Sequence, residues 1–287
     1  MGTVAEHTAW SDLDRPPLNA AVLRRALVAP DSWAALDVVA DTGSTNADLL
    51  EQARAGAQDR TVLVAEHQGS GRGRHARTWS SPPRAGLALS VLLRTTGVPV
   101  ARLGWLPLLA GVAVVDVLRR VAEVDAVLKW PNDVLIGGRK VAGILAEVAA
   151  TTPEPTVVVG IGLNVSLRTE ELPVPEATSL VLAGAALTDR DPLLRALLRE
   201  LADRERGWRA VGGDPAAGLA QDYRNRCATL GQDVRVLLPQ GSADRPSELL
   251  GRAVRVDDDG RLVVRDGAGT EHVLAAGDVT HVRLAGR

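Results

Sequence analysis

Thr61-Val62-Leu63-Val64-Ala65-Glu66-His67-Gln68-Gly69-Ser70-Gly71-Arg72-Gly73-Arg74-His75-Ala76-Arg77-Thr78-Trp79 is the stretch from which the fold is read. Its first five residues form an apolar, largely β-branched run, which predicts a buried strand. Leu87 to Leu93 is a second such run. A core strand therefore delivers the chain to a loop of about twenty residues, and another core strand takes it back; loops that long in compact domains are usually functional or disordered. From Gln68 to Trp79 the loop holds three glycines and three arginines. Glycine lets backbone approach a ligand closely. Arginine presents a planar fork of donors that suits phosphate and carboxylate. The pattern fits a loop closing over an anionic ligand, and it also fits a solvated basic loop.

The 287 residues are 46% hydrophobic and 24% charged, ordinary for a globular chain of one or two domains. A net charge of −2 gives no global pull toward nucleic acid or anionic membrane. The single cysteine, Cys227, excludes an internal disulfide framework and fits a cytoplasmic setting. No apolar run is expected to reach the roughly 18–20 residues that span a bilayer. Met1 to Pro17 shows no secretory h-region. Of the 33 basic residues only Lys129 and Lys140 are lysine. Lysine kept against that bias marks places where a compact ammonium is needed.

Leu18 to Val28 has helical spacing, and Trp33 to Ala40 reads as a strand. Ser44 or Thr45 can N-cap a helix with the stripe Leu49, Leu50 and Ala53, ended near Gly56. Leu103 to Val121 is apolar nearly all round and should be a buried helix. Strands are expected at Val127–Lys129, Val134–Ile136 and Arg139–Val148, with a hairpin at Gly137-Gly138, and again at Thr156–Gly162. Asp191 is expected to N-cap a helix with Pro192 at its first position, followed by a short helix from Pro215. From Gly231 five short β-like runs predict a small barrel. The expected division is residues 1–230 and 231–287.

The common nucleotide motifs are missing. No stretch fits the P-loop pattern. Gly160-Ile161-Gly162-Leu163-Asn164 imitates a dinucleotide fingerprint but lacks its third glycine and its helix. No His/Cys spacing suits zinc and no nucleophile elbow is present. What remains are polar clusters at the ends of apolar runs: Ser44-Thr45-Asn46, Gln68 to Trp79, Lys129 to Asp133, Lys140 with Gly143, and Gly162 with Asn164. Strand ends sharing one edge of a sheet build ligand sites. Each cluster also has a plainer reading: capping for Ser44 and Thr45, a solvent-reaching strand end for Lys129, core packing for Trp79 and Trp130.

With these clusters in view, the sequence resembles the biotin protein ligases (biotin–acetyl-CoA-carboxylase ligases) from about residue 36 to its end. The carrying motifs are Gly71-Arg72-Gly73-Arg74-His75-Ala76-Arg77-Thr78-Trp79, Lys129-Trp130-Pro131-Asn132-Asp133, Lys140-Val141-Ala142-Gly143-Ile144-Leu145 and Gly160-Ile161-Gly162-Leu163-Asn164-Val165, with Ser44-Thr45-Asn46 ahead of them. Ala76 stands where the family pattern usually has glycine. The resemblance implies an α+β fold of the class II synthetase/biotin-lipoate ligase kind, a mixed sheet with flanking helices, followed by an SH3-like barrel. It implies ATP with Mg²⁺ and biotin as ligands, biotinyl-5′-AMP as intermediate, and a lysine of a biotin carboxyl carrier protein as acceptor. Only about thirty residues precede the first strand, too few for a helix-turn-helix, so a ligase without DNA binding, monomer or homodimer, is expected.

The resemblance also distributes roles. Lys129 and Arg72 are the expected catalytic cations. Ser44, Thr45, Asn46, Gln68, Arg72, Trp79, Lys129 and Gly143 would meet biotin. Gly71, Arg72, Gly73, Arg74, Arg77, Asn132, Asn164 and Arg283 would meet ATP or the adenylate. The flexibility of Gly69, Gly71 and Gly73 would let the loop close and keep the mixed anhydride from water. A lipoate or octanoate ligase or transferase on the same fold is the nearest alternative. A nucleic-acid module is disfavoured by the net charge and the scarcity of Phe and Tyr.

Overall fold

The computed structural model of the chain describes residues 15–74, 77–237, 248–275 and 278–281. Helix α1 (Ala20–Leu27), capped by Asn19, precedes strand β1 (Ala35–Thr42), helix α2 (Thr45–Arg54) and strand β2 (Thr61–Gln68). β1 and β2 are parallel, as a crossover through a helix requires. Where a loop of about twenty residues was expected, the stretch after β2 carries strand structure of its own. It folds back on itself through β3 (Gly71–Arg72) and β4 (Thr78–Trp79), an antiparallel pair. Strand β5 (Gly86–Arg94), helix α3 (Trp105–Val121), strands β6 (Ala126–Lys129), β7 (Asp133–Ile136), β8 (Arg139–Ala150) and β9 (Thr156–Asn164) follow. The order β1-β2-β5-β9-β8-β7-β6 makes a seven-stranded mixed sheet. Gly137 and Gly138 both have positive φ, the geometry of a two-residue hairpin turn between β7 and β8.

The sheet is covered on both faces, which is why its central strands read as unbroken apolar runs. On one face α3 packs against β6 to β9. On the other, Leu49, Leu50 and Ala53 of α2 pack on Leu63, Leu92 and Val158. With the 3-10 turn ahead of it, α3 extends a 22-residue helical stretch from Val100 to Val121 that is long and apolar enough to cross a bilayer. That corrects the expectation that no run reaches such a length. Here the stretch is a core helix, enclosed by the sheet, by α4 (Arg190–Ala210) and by α5 (Leu219–Arg226). The cap of α4 is Asp189, whose side chain accepts from the Asp191 amide, and Pro192 sits third in the helix. The expected cap Asp191 is thus a first-turn acid instead.

Strands β10 (Asp233–Leu237), β11 (Glu248–Val256), β12 (Leu262–Arg265), β13 (Glu271–Leu274) and β14 (Asp278–His281) form an antiparallel sheet in the order β13-β12-β11-β10-β14. Among the described residues β13 and β14 are not paired, so the C-terminal unit is an antiparallel sheet with no barrel closure in that stretch. Its turn between β11 and β12 meets the larger sheet. Trp105 Nε1 donates to the Asp258 carbonyl at 2.8 Å, and Trp130 Nε1 to the Gly260 carbonyl at 3.1 Å. Gly104 lets this turn come close, since a Cβ there would lie 2.6 Å from the Asp259 carbonyl.

The segment before α1 is stitched to the core by a buried ion pair. Arg190 lies 2.6 Å from Glu66, both nearly enclosed, and the same two side chains bind Pro16 O and Leu18 N. Replacing Arg190 by Met leaves the Glu66 carboxylate buried and uncompensated. The expected loss is about 3–5 kcal/mol, read from urea denaturation. Adding Glu66→Gln to the Arg190→Met protein should recover part of it, and an unshifted midpoint in the single variant would show that the pair carries no such load.

Candidate functional site

Three rows of residues cross the face of the sheet that α2 only half covers. They are Ala88–Gly162–Gly143, Ser90–Gly160–Leu145 and Leu92–Val158–Glu147, each a set of register partners on β5, β9 and β8. α2 lies over the third row. The other two rows are poor in side chains, so a slot opens above them.

The glycines are explained by what rests on them. A Cβ at Gly162 would lie 2.3 Å from the Trp79 indole, and one at Gly143 would lie 3.2 Å from it. A Cβ at Gly160 would lie 2.1 Å from Asn46 Oδ1. The Gly-x-Gly that imitates a dinucleotide fingerprint is therefore a strand stripped of side chains to seat an indole and an amide. Gly71 works the same way: it is buried in β3, and a Cβ would meet the Trp79 carbonyl at 2.4 Å. Neither Gly69, Gly71 nor Gly73 has positive φ. Gly71 and Gly73 are places of close packing, and Gly73 N donates to Arg77 O at 2.7 Å.

A polar chain runs beneath the slot. Gln68 Oε1 accepts from the Thr45 amide at 2.8 Å and lies 3.1 Å from Thr45 Oγ1. The Ser90 hydroxyl, fully buried, sits 2.7 Å from Thr45 Oγ1 and 2.6 Å from Asn46 Oδ1. Asn46 Nδ2 donates to Glu147 at 2.8 Å and to the Leu145 carbonyl at 3.2 Å. Glu147 in turn lies 3.4 Å from Arg72. Ser44 caps α2 beside this chain and is also buried. Asn46, expected to meet ligand, has its amide committed to protein partners.

Cations gather at the mouth. Arg74 reaches Asn132 Oδ1 at 3.4 Å, and Asn132 is itself fixed to Ile144 by its amide and carbonyl. Burial lowers the Arg74 guanidinium from its usual value, Asp133 opposing and Arg77 adding to the shift. The ammonium of Lys129, at the end of β6, makes no hydrogen bond or ion pair among the described residues. Burial lowers its pKa first of all, with Asp133 opposing and Lys140 and Arg77 adding. Lys140 by contrast is 2.6 Å from Asp133 and 5.7 Å from the centre of the Trp79 ring.

These side chains enclose a cavity of about 520 Å³ bordered by Ser44, Thr45, Gln68, Trp79, Lys129 and Gly143 among others. It adjoins a larger, more open one of about 980 Å³. Arg72, Gly73, Arg74, Arg77 and Asn132 border both, and Gly71, Gly104, Asp259 and Gly260 border the second. Asn164 borders the first, with its amide donating to the Thr178 carbonyl at 2.9 Å. Arg283 and Ala76 lie outside the described residues. Ser90, Asp133, Lys140 and Glu147 join the site without having been given roles from the sequence. Lys140 and Asp133 stood in quoted motifs, whereas Ser90 hides inside an apolar run. No described group of three or more His, Cys, Asp or Glu could hold a metal. The described residues bring amide and hydroxyl groups and several cations to one slot, an arrangement suited to binding and charge neutralisation.

Comparison with known proteins agrees with this geometry. Residues 39–164 match the model of the biotin/lipoate A/B protein ligase family, and residues 229–282 that of the biotin protein ligase C-terminal domain. A biotin–[acetyl-CoA-carboxylase] ligase of Mycobacterium tuberculosis is 50% identical over 94% of this chain and 97% of its own. A bifunctional ligase/repressor of Bacillus subtilis is 32% identical over 84% of this chain and 71% of its own. The Aquifex aeolicus biotin protein ligase in complex with biotin and ATP superposes with a TM-score of 0.71 at 27% identity, over 86% of this chain and 99% of that one.

Gly162→Ala tests the seating of the indole. The added methyl overlaps Trp79 and should cost about 1–3 kcal/mol of stability, the usual range for overpacking. The part of the fluorescence removed by Trp79→Phe should also shift to longer wavelength in the Gly162→Ala protein, as the ring moves into water. An unshifted spectrum with unchanged stability would contradict the close packing.

Proposed function

The chain belongs to the biotin/lipoate A/B protein ligase family, and from that premise we propose that it activates biotin with ATP and transfers it to a lysine of a biotin carboxyl carrier protein. In the first step a biotin carboxylate oxygen attacks the α-phosphorus of ATP, the bond to the bridging oxygen breaks, and pyrophosphate leaves. In the second the carrier's ε-amine attacks the acyl carbon of biotinyl-5′-AMP, and AMP leaves. The observation that carries the reading is the slot itself, a cavity that Gln68 and Thr45 share with Lys129, Arg72 and Arg74. A ureido head needs donors and acceptors, an alkyl tail needs an apolar passage, and a carboxylate meeting a triphosphate needs cations between them. The C-terminal match at 229–282 favours biotin over lipoate or octanoate.

Gln68, Thr45 and Ser44 receive the biotin head in this reading, and Trp79 walls the passage. Lys129 neutralises charge where the mixed anhydride forms. Arg72 bridges the carboxylate and α-phosphate, and Arg74 and Arg77 hold the rest of the triphosphate. The more open neighbouring cavity, bordered by the same arginines, is the room for the nucleotide. Mg²⁺ enters on the phosphate oxygens as part of that substrate. Residues 1–230 would carry these steps, with 231–287 as a second unit.

Incubation with biotin, MgATP and a carrier domain should add one biotinyl mass to the carrier. Pyrophosphate exchange driven by lipoate and not by biotin would overturn the assignment. Lys129 gives a second test. Its ammonium is the active form, and its pKa is lowered, chiefly by burial. As pH rises through that value the ammonium is lost, so the rate should fall on an alkaline limb below the ordinary lysine value of about 10.4. Lys129→Gln should lower the rate about 10²–10³-fold and remove the limb. Lys129→Arg should also lose activity, because the fork is bulkier than the ammonium. A wild-type rate in both variants would remove Lys129 from the chemistry.

A further inference from the structure

We propose that Glu147 is a positioning residue: it carries the buried polar chain under the slot out to Arg72 and sets where that guanidinium stands. The proposal rests on the reading of the site as an adenylating pocket, and it adds to that reading a residue at the border of the larger cavity whose carboxylate is held between Asn46 and Arg72.

Glu147 lies on the slot face of β8, two positions beyond Leu145 and four beyond Gly143. β7 pairs with β8 only as far as Gly143, and Asn132 then binds Ile144. Glu147 is past both, at a stretch of β8 with no described β7 partner. It is nonetheless held firmly. One oxygen accepts from Asn46 Nδ2 at 2.8 Å, and Asn46 is buried, seated on Gly160 and bound to Ser90. The other oxygen faces Arg72 at 3.4 Å. The two ends differ in kind: the Asn46 end is short and enclosed, while the Arg72 side chain is about half exposed. An anchored carboxylate beside a mobile, long cation restricts the cation and not the reverse. The Arg72 side chain has no other hydrogen-bond or ion-pair partner among the described residues. Without Glu147 nothing described would keep its fork at the border of the two cavities.

Glu147→Gln keeps an oxygen for the Asn46 amide and removes the charge that faces Arg72. Amide hydrogen exchange at Gly71 and Arg72 in ligand-free protein should rise roughly fivefold, the upper range for losing one exposed ion pair. Arg72→Ala should raise it equally, and the double variant no further. In single-turnover assays Glu147→Gln should release biotinyl-5′-AMP roughly fivefold faster with little change in the KM for biotin, and Glu147→Asp should restore part of the retention. Additive effects of Glu147→Gln and Arg72→Ala on exchange, or no effect of either, overturn the positioning role. A wild-type protein that forms no adenylate overturns the functional reading alone, because the exchange measurements still decide the position of Arg72. Unchanged melting of Glu147→Gln is the control; if it unfolds, Glu147→Asp decides instead, with exchange expected between the wild-type and Arg72→Ala values and an unchanged rate overturning the role.

Discussion

The closeness of Trp79 to the main chain of β8 and β9 is the constraint on which the rest of the site depends. Gly143 and Gly162 are register partners, so their missing side chains leave one bare patch across two strands. The indole fills that patch and, through its own backbone pairing with Gly71, fixes where β3 and β4 sit over the sheet. Arg72 is the neighbour of Gly71 in that pair. Its place is therefore a consequence of aromatic packing two strands away. The ammonium of Lys140 stands near the same ring and ties it to Asp133 at the start of β7.

Much of this architecture was legible in the sequence because the physics involved is local. The apolar runs at Thr61–Ala65, Leu87–Leu93 and Thr156–Gly162 became strands close to where they were expected, and Gly137-Gly138 made its hairpin. The polar clusters at the run ends met at one cavity, since strand ends of a single sheet have few other places to go. The biotin-ligase kinship was carried by these motifs and stands. What could not be read depends on contacts between distant residues. Ser90 looks like a lapse in an apolar strand until Asn46 and Thr45 are brought against it. The close packing of Gly71 against Trp79 and of Gly73 against Arg77 is likewise invisible in a linear reading. Asp189 and Asp191 are both suitable caps, and proline next to the second made it the more attractive candidate; the chain entered the helix two residues earlier than that proline suggested.

Charge in this protein is arranged by burial as much as by pairing. Lys129 and Arg74 are held with lowered pKa by desolvation, in a site where Asp133 is already taken up by Lys140. A desolvated cation with no close partner is costly. It is also ready to interact with an incoming anion without first breaking an ion pair. Elsewhere the chain does the opposite: Arg204 and Arg226 share Asp116 and Asp222 on the helical surface, where satisfaction of every charge serves stability alone.

The junction between the two sheets has a different character. Trp105 and Trp130 each donate an indole N–H to a carbonyl of the turn at 258–260, and Trp130 directly follows Lys129. Those contacts read the path of the main chain and ignore the side chains of Asp258 and Asp259. The Asp259 carboxylate adds a longer contact of its own to Arg102, at 3.9 Å, and Gly260 is not free, with φ +80 and Gly104 close above it. The seam thus rests on two glycines that allow a close approach, Gly104 and Gly260, and on two indoles that reach across it.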